Sequence, residues 1–449
     1  MLPMSRHRTL AALALVPAAL AAQGRWQPPT DSALVATARA IHERVLTLDT
    51  HVDINPAVFR ATTPNYASGV ARNQVDVPKM EQGGLDAAFL IVYVGQGRTL
   101  DSAGYAQAYA AAIEKFDAIH RLADSLAPTR VGLATSVADV RRIAASGRKV
   151  ILIGVENGFP LGADIRNVRA FRERGALYLS LAHNGHSQLS DSNTGERDGV
   201  WLWNGLSPLG REVVAELNRW GVMIDISHPS KRSMLETVRL SRAPIIASHS
   251  SMRALCNHSR NLDDEQLAAM RRNRGVVQVV AFNAYVKCDP SKDRVRDSLR
   301  ADAIAALRRE YGIDPTLTGQ AARDVIAALP DARRNDYLAA QEDITARRYP
   351  ADPAATVSDF VDHIDYAVRK MGIDHVGISS DFDGGGGVDG WRNATETFNV
   401  TLELVKRGYT ESQIAQLWSG NLLRVLAEVE RVAARLQQAP SSRSRTSRR

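Results

Sequence analysis

A histidine and two aspartates lie together where an apolar run of the sequence ends. The stretch "LTLDTHVDINP" (residues 47–57) places His51 and Asp53 two positions apart, shortly after Asp49. Residues two apart on a strand point to the same face, so this imidazole and this carboxylate would lie side by side. Both groups are ligands of zinc and similar divalent ions. The stretch is typical of a metal site, and the alternative is a polar strand end that faces water.

The same kind of ending follows five further apolar runs. Potential metal ligands or proton carriers stand there, namely Glu156 in "GVENG", His183 in "SLAHNGH", His228 in "DISHPS", His249 in "IASHSS" and Asp381 in "SSDFDGGGG". Of the eleven histidines in the chain, four fall at the end of an apolar run, namely these three and His51. A single histidine at a strand end is usually a polar cap. The combination across six strand ends favours one shared metal site.

The elements that would position these residues are eight apolar runs, each followed by a loop and a helical pattern. The runs are 44–50, 85–94, 149–155, 176–182, 221–227, 243–249, 275–282 and 375–381. Alternating strands and helices predict a parallel sheet, and nearly continuous apolar strands predict burial on both faces. Eight units predict an α/β fold, a (β/α)8 TIM-like barrel, whose chemistry lies at the carboxyl ends of its strands.

Composition divides the chain into three parts. Residues 1–22 have a basic head, an apolar run and the small residues Ala19 and Ala21, which together predict a secretory signal peptide, with an uncleaved anchor as the alternative. Residues 23–436 are predicted to form a single metallohydrolase domain, with a helical insertion over about 289–355, between the seventh and eighth strands. That insertion is a lid, a subunit contact or an elaboration without function. Residues 437–449 have the composition of a disordered basic tail.

These features predict an exported protein, periplasmic or secreted, without a stable membrane anchor after signal removal. The two cysteines, Cys256 and Cys288, can pair in an oxidising compartment or remain buried thiols in a reducing one, and export favours the disulfide. The formal net charge is +7, but six of the arginines lie in the two termini and leave 50 basic against 49 acidic residues. We therefore expect no nucleic-acid partner.

The candidate ligands suffice for two ions. His51 and Asp53 can hold one, His228 and His249 another, and the two oxygens of Glu156 can bridge them. Paired ions ~3.5–4 Å apart convert bound water into hydroxide near neutral pH. None of the eight lysines stands at the end of the third to sixth predicted strands, so a carbamylated lysine is not available as the bridge.

Two candidates remain for the reaction itself. Asp381 can take a proton from the attacking water and pass it to a leaving amine. His183 can donate a hydrogen bond to the carbonyl oxygen as charge develops there.

From "LDTHVD" to "SGNLLRV" the ordered motifs resemble the membrane (renal-type) dipeptidases, zinc enzymes of the amidohydrolase superfamily. The segments that carry the resemblance are "GVEN", "LAHN", "WGVMIDISHPS", "RAPIIASHSSMRALCNHSRNLDDE" and "HVGISSDFDG". The resemblance implies two zinc ions per chain, held by His51, Asp53, Glu156, His228 and His249. It also implies that His183 contacts the scissile carbonyl and Asp381 the substrate amine.

The resemblance adds two further expectations. Arg260, in "NHSRN", would bind the terminal carboxylate of the substrate, and Cys256 would pair with Cys288. The chain departs from the vertebrate pattern at Gly185, where a further cysteine is missing, and in its longer insertion.

We therefore predict a dinuclear zinc dipeptidase that acts through a metal-bridging hydroxide on a small dipeptide. The alternatives are another hydrolase of the same scaffold, acting on a lactone, cyclic amide or β-lactam, and a non-catalytic metal-binding protein. The sequence leaves the choice between monomer and homodimer open.

Overall fold

The computed structural model describes residues 26–97, 99–288, 290–317, 322, 325, 326, 328–349 and 354–438. The predicted signal peptide (1–22) lies outside these residues. Of the predicted tail (437–449), only 437 and 438 are described, and they belong to the last helix.

Nine parallel strands form the central sheet, and eight of them make a nearly closed barrel. The strands are β1 (Leu48–Asp53), β2 (Ala87–Tyr93), β3 (Val131–Leu133), β4 (Lys149–Glu156), β5 (Ala176–Ser180), β6 (Met223–Asp225), β7 (Ile246–Ala247), β8 (Val276–Val280) and β9 (Val376–Ser379). The barrel order is β1-β2-β4-β5-β6-β7-β8-β9. Next to this closure, the Asp53 amide donates to the Phe382 carbonyl at 2.9 Å. The predicted (β/α)8 fold is confirmed.

Each of the eight predicted runs overlaps one barrel strand, although β1 and β4 extend past the predicted ends at 50 and 155. Strand β3 was not predicted. It has only three residues and pairs with β4 alone, with Val131 opposite Lys149. A segment of this length is too short to show a strand periodicity in the sequence.

Helices pack outside the strands. They are α1 (Ser32–Arg44), α2 (Val77–Gly83), α3 (Ser102–Arg121), α4 (Val137–Ala145), α5 (Arg166–Glu173), α6 (Gly195–Asp198), α7 (Pro208–Trp220), α8 (Lys231–Leu240), α9 (Asp264–Asn273), α10 (Asn283–Val286), α11 (Pro290–Glu310), α12 (Asp331–Glu342), α13 (Val357–Met371), α14 (Phe398–Lys406), α15 (Glu411–Ala415) and α16 (Asn421–Gln438). Neighbours along the chain pack together, as α7 with α8 and α8 with α9. Among the described helices, none has both the length and the apolar character needed to cross a bilayer.

The interior of the barrel is filled by side chains rather than open. Tyr178 on β5 is fully buried, and its ring lies so close to β4 at Gly154 that a Cβ at that position would overlap the ring atoms. Glycine at this position leaves the space that lets the phenol reach across toward β1. This crossing matters for the site described below.

The predicted helical insertion is present between β8 and β9. Helices α11 and α12 belong to it, and a separate small core joins them through the buried side chains of Leu307, Ile313, Tyr337 and Ile344. A disulfide between Cys256 and Cys288, with Cα atoms 5.2 Å apart, connects the loop after β7 to the start of the insertion. The expected pairing of the two cysteines is thus confirmed.

Candidate metal centre

The seven polar residues predicted from the strand ends converge at one rim of the barrel. His51 and Asp53 lie on β1 and Glu156 is the last residue of β4. The other four follow strands β5, β6, β7 and β9, and they are His183, His228, His249 and Asp381. Their side chains come from six strands because the carboxyl ends of parallel barrel strands all face the same side.

Glu156 is the centre of this group, since its two oxygens face different histidines. Oε1 lies 3.0 Å from His228 Nε2, 3.3 Å from His249 Nε2 and 3.7 Å from His183 Nε2. Oε2 lies 3.4 Å from His51 Nε2. The carboxylate is buried, and it separates the group into two halves, as a bridging ligand would.

The second half of the group consists of His51 and two aspartates. His51 Nε2 lies 3.7 Å from Asp53 Oδ2 and 3.9 Å from Asp381 Oδ1. Asp381 has a positive φ of 59°, and Gly384 follows it closely. A Cβ on Gly384 would collide with both Asp53 Oδ2 and Asp381 Oδ1, so only glycine permits the two carboxylates to approach here.

Tyr178 orients the imidazole of His51. The phenol Oη lies 2.9 Å from His51 Nδ1 and donates its own proton to the Thr50 carbonyl at 3.1 Å. Oη must therefore accept a hydrogen bond from Nδ1–H, which leaves Nε2 of the neutral ring without a proton. That buried Nε2 has no hydrogen-bond partner among the described residues.

A serine and an aspartate orient His249 in the same way. Ser248 Oγ donates to Asp225 Oδ2 at 2.7 Å, which uses its single proton. It therefore accepts from His249 Nδ1 at 2.8 Å, and His249 Nε2 presents a lone pair to the site. His249 Nε2 and His228 Nε2 are 3.1 Å apart. Such outer partners are typical of metal-binding histidines.

The buried carboxylates of this group give the site an excess of negative charge, which a positive charge would balance. Burial alone lowers the pKa of His51, but the carboxylates of Glu156, Asp381 and Asp53 outweigh it and raise this pKa to about 10. Burial raises the pKa of Asp381 to about 8, with Asp53 and Glu156 adding to the rise. Burial also lowers the pKa of His228 and of His249 well below the usual value.

These residues fit a metal ion. Bare imidazole nitrogens and carboxylate oxygens face one another, and the groups His51–Glu156–His249, Glu156–His183–His228 and His51–Asp53–Asp381 each bring three candidate ligand atoms within 4.8 Å. A buried set of lone pairs with excess negative charge is stabilised by a divalent cation. Nitrogen and oxygen ligands of this kind suit zinc and its neighbours among the transition metals.

Arg260 also lies at the site, and its guanidinium forms hydrogen bonds with two backbone carbonyls. Its side chain is buried, and its Nη2 donates to the His249 carbonyl at 3.2 Å while Nη1 donates to the Ser227 carbonyl. The guanidinium lies over the Tyr285 ring, 5.3 Å from the ring centre. Its positive charge acts on the histidines of the site. Burial is the main cause that lowers the pKa of His228, and the charge of Arg260 lowers it further.

A cavity of about 600 Å³ opens in front of these residues. Its wall includes all of the predicted metal-binding, catalytic and substrate-binding residues except His51. It also includes residues that the sequence patterns did not indicate, among them Arg72, Tyr93, Lys115 and Tyr285. Tyr93 ends β2, so its position at a strand end is a signal that could have found it. Lys115 lies within α3, where no strand-end rule applies.

Comparison with known proteins places this chain in a family. The family model of the membrane dipeptidases, peptidase family M19, matches residues 35–440. The chain belongs to this family. It is accordingly a metal-dependent hydrolase that acts on dipeptides.

The relatives agree with this assignment. The chain is 29% identical over 367 residues to dipeptidase aclJ of Aspergillus oryzae, a match that covers 81% of this chain and 72% of that protein. The crystal structure of the probable dipeptidase PvdM from Pseudomonas aeruginosa is 34% identical, covers 89% of this chain and 99% of that chain, and superposes with a TM-score of 0.73. A metallo peptidase from Rhodobacter sphaeroides has the same fold, with 22% identity and a TM-score of 0.63 over 86% of this chain and 99% of that chain.

Proposed function

We propose that the protein is an exported, dinuclear zinc dipeptidase with hydroxide as its nucleophile. The observation that carries the proposal is Glu156, whose two oxygens face His51 on one side and His228 with His249 on the other. His51 and Asp53 would hold one ion, His228 and His249 the other, and Glu156 both. When bound, the two ions supply Lewis acidity and make hydroxide available near neutral pH.

Asp381 is the proposed proton carrier. Burial raises the pKa of its carboxyl to about 8 in the protein alone, and a neighbouring cation lowers the pKa of such a group. In the proposed reaction this carboxyl takes a proton from the nucleophile and returns it to the departing amine. Its place beside Asp53, with only Gly384 filling the gap, holds it at the rim.

His183 is the proposed donor to the carbonyl oxygen of the scissile bond. Burial lowers the pKa of His183, so the imidazole is neutral and has one N–H to donate. The side chain is 19% exposed, which distinguishes it from His51 at 0% and leaves it accessible to substrate. A donor that acts where negative charge develops stabilises the transition state.

Arg260 is the proposed anchor for the carboxyl end of the substrate. Its guanidinium is fixed by the carbonyls of Ser227 and His249 and lines the cavity. A fixed guanidinium recognises a carboxylate by charge and direction. Recognition of both chain ends would restrict the enzyme to dipeptides. The Rhodobacter sphaeroides neighbour is liganded with a phosphinate mimic of the dipeptide L-Ala-D-Ala, which supports a substrate of this size.

Two features support export, namely the predicted signal peptide over 1–22 and the disulfide between Cys256 and Cys288. Disulfides persist in oxidising compartments.

The test is the substitution Glu156→Gln, which keeps the shape of the side chain and removes its charge. We expect native circular dichroism, loss of bound zinc and loss of dipeptide hydrolysis. Glu173→Gln is the control, because Glu173 is 58% exposed on α5 and pairs with Arg169 on the same helix. Full turnover by the Glu156 variant would overturn the proposal. A panel of L-Ala-L-Ala, L-Ala-D-Ala, tripeptides, N-acyl amino acids and lactones, run with added zinc, separates dipeptide hydrolysis from the other reactions of this scaffold.

A further inference from the structure

Lys115 brings an ammonium group to the catalytic cavity from α3, and the proposed reaction does not use it. It lines the same cavity as Asp53, Glu156 and His183. Its Nζ lies 5.5 Å from the centre of the Tyr93 ring, and that ring lies 4.6 Å from the ring of His183. The ammonium is therefore part of the wall against which a substrate would lie.

This ammonium has no counter-ion of its own. Within the described parts of the chain, Lys115 forms neither a salt bridge nor a hydrogen bond, whereas Lys79, Lys149 and Lys231 each pair with an aspartate. Asp53 and Glu156 are the carboxylates that act most strongly on its charge from a distance. Both are proposed metal ligands, so bound cations would balance their charge. A half-buried cation in this position is stabilised by an anion that the ligand supplies.

The position of Lys115 identifies which part of the substrate would carry that anion. Arg260, the proposed anchor for the terminal carboxylate, lies against the segments that follow β6 and β7, where it donates to the carbonyls of Ser227 and His249. Lys115 lies instead over the ring of Tyr93, the last residue of β2. Strand β2 runs next to β1, which carries Asp53 of the half of the site that also holds Asp381. Asp381 is the proposed partner of the substrate amine, so Lys115 stands beside the amino-terminal residue.

We propose that Lys115 binds the side-chain carboxylate of an acidic amino-terminal residue, and that the enzyme prefers dipeptides with glutamate or aspartate in that position. This inference rests on the proposed dipeptidase function and adds a specificity-determining residue to it. The alternative role for Lys115 is structural, as a cation packed on the face of Tyr93.

The test compares Glu-Ala with Gln-Ala, two substrates of equal shape that differ in charge. We expect kcat/KM of the wild type to favour Glu-Ala by ~10-fold or more, the effect of a hydrogen bond between charged groups. In Lys115→Gln the ratio falls to about 1, and in Lys115→Arg a clear preference remains. The matched control is Lys370→Gln, because Lys370 is 44% exposed on α13 and pairs with Asp264. This control keeps the wild-type ratio.

Three results would overturn the inference. They are a wild type that does not prefer Glu-Ala, a ratio that is unchanged in Lys115→Gln, and a variant that loses Ala-Glu rather than Glu-Ala. Isothermal titration calorimetry can also compare the affinities of the wild type and Lys115→Gln for phosphinate mimics of Glu-Ala and Gln-Ala. This measures the same preference for the charged side chain without turnover. A protein that binds the glutamate mimic ~10-fold better through Lys115 and yet hydrolyses neither dipeptide would support this inference and refute the proposed function.

Discussion

Removing one hydroxyl group, in Tyr178→Phe, tests whether the histidines of the site are metal ligands. The phenol is not a proposed ligand of the ions, because its Oη forms hydrogen bonds with His51 Nδ1 at 2.9 Å and with the Thr50 carbonyl at 3.1 Å. The ring itself stays packed against Phe89, with ring centres 5.2 Å apart. Phenylalanine has the same ring, so the substitution removes the hydrogen bonds and leaves the packing in place.

The expected size of the effect follows from those two bonds. Without the phenol, His51 Nδ1–H is buried and unpartnered, which costs roughly 1–3 kcal/mol. Loss of an outer partner of a ligating histidine typically weakens metal binding by about 10–100-fold, or about 1.4–2.7 kcal/mol. The two estimates agree, so we expect the ion at His51 and Asp53 to bind ~10–100-fold more weakly.

Competition between the protein and a fluorescent zinc chelator measures each site separately. Tyr178→Phe should weaken one of two zinc sites, and Ser248→Ala should weaken the other, because Ser248 orients His249. Tyr366→Phe is the control, since its hydroxyl bonds Asp264 on the surface at 2.7 Å. Unchanged zinc affinities in both site variants, with native circular dichroism, would refute the assignment of these histidines as ligands. Equal weakening of both sites by Tyr178→Phe would refute the division into two halves.

Three further predictions concern the same rim. Arg260→Lys keeps the charge but loses the planar fork, so we expect KM for dipeptides to rise ~10-fold with a smaller change in kcat, as measured by steady-state kinetics. Gly384→Ala inserts a methyl group into the space between Asp53 Oδ2 and Asp381 Oδ1, so we expect loss of both zinc and activity, checked by metal analysis. Chelator-treated protein should melt at a lower temperature at pH 9 than at pH 7.5. In this range His183, His228 and His249, whose pKa values burial lowers, are neutral in both the folded and the unfolded chain. Burial lowers the pKa of His51, but the neighbouring carboxylates outweigh it and raise this pKa to about 10. Burial raises the pKa of Asp381 to about 8. Both groups are therefore easier to protonate in the folded protein, and the stability that this contributes is lost as pH rises through those values.

Each of these has a clear opposite result. An unchanged KM in the arginine variant would remove the carboxylate anchor from the proposal. Gly95→Ala serves as the glycine control, because it is exposed and the nearest atom to an added Cβ is 3.8 Å away; equal damage from both glycine variants would point to the backbone rather than to the two carboxylates. A melting temperature that rises from pH 7.5 to pH 9 without metal would contradict the stabilisation of this cluster by positive charge.

Much of the site could be predicted from the sequence because it follows the strand periodicity. In a barrel of parallel strands, the residue after each apolar run stands at the same rim, so His228 after β6 and His249 after β7 could be grouped without coordinates. The same rule predicted eight barrel strands, all of which the structure contains. It could not predict β3, whose three residues carry too little pattern.

The linear pattern of residues specifies the alternation of apolar runs with helices and the chemical type of the residue that ends each run. The distant side chains that touch those residues are specified only by the packing of the folded chain. Tyr178 meets His51 across 127 positions of chain because Gly154 leaves room for its ring. Lys115 enters the cavity from a helix, where neither spacing nor residue type distinguishes it from a solvated surface lysine. Periodicity acts along one element, whereas the orientation of a ligand and the charge that a substrate meets depend on packing between elements.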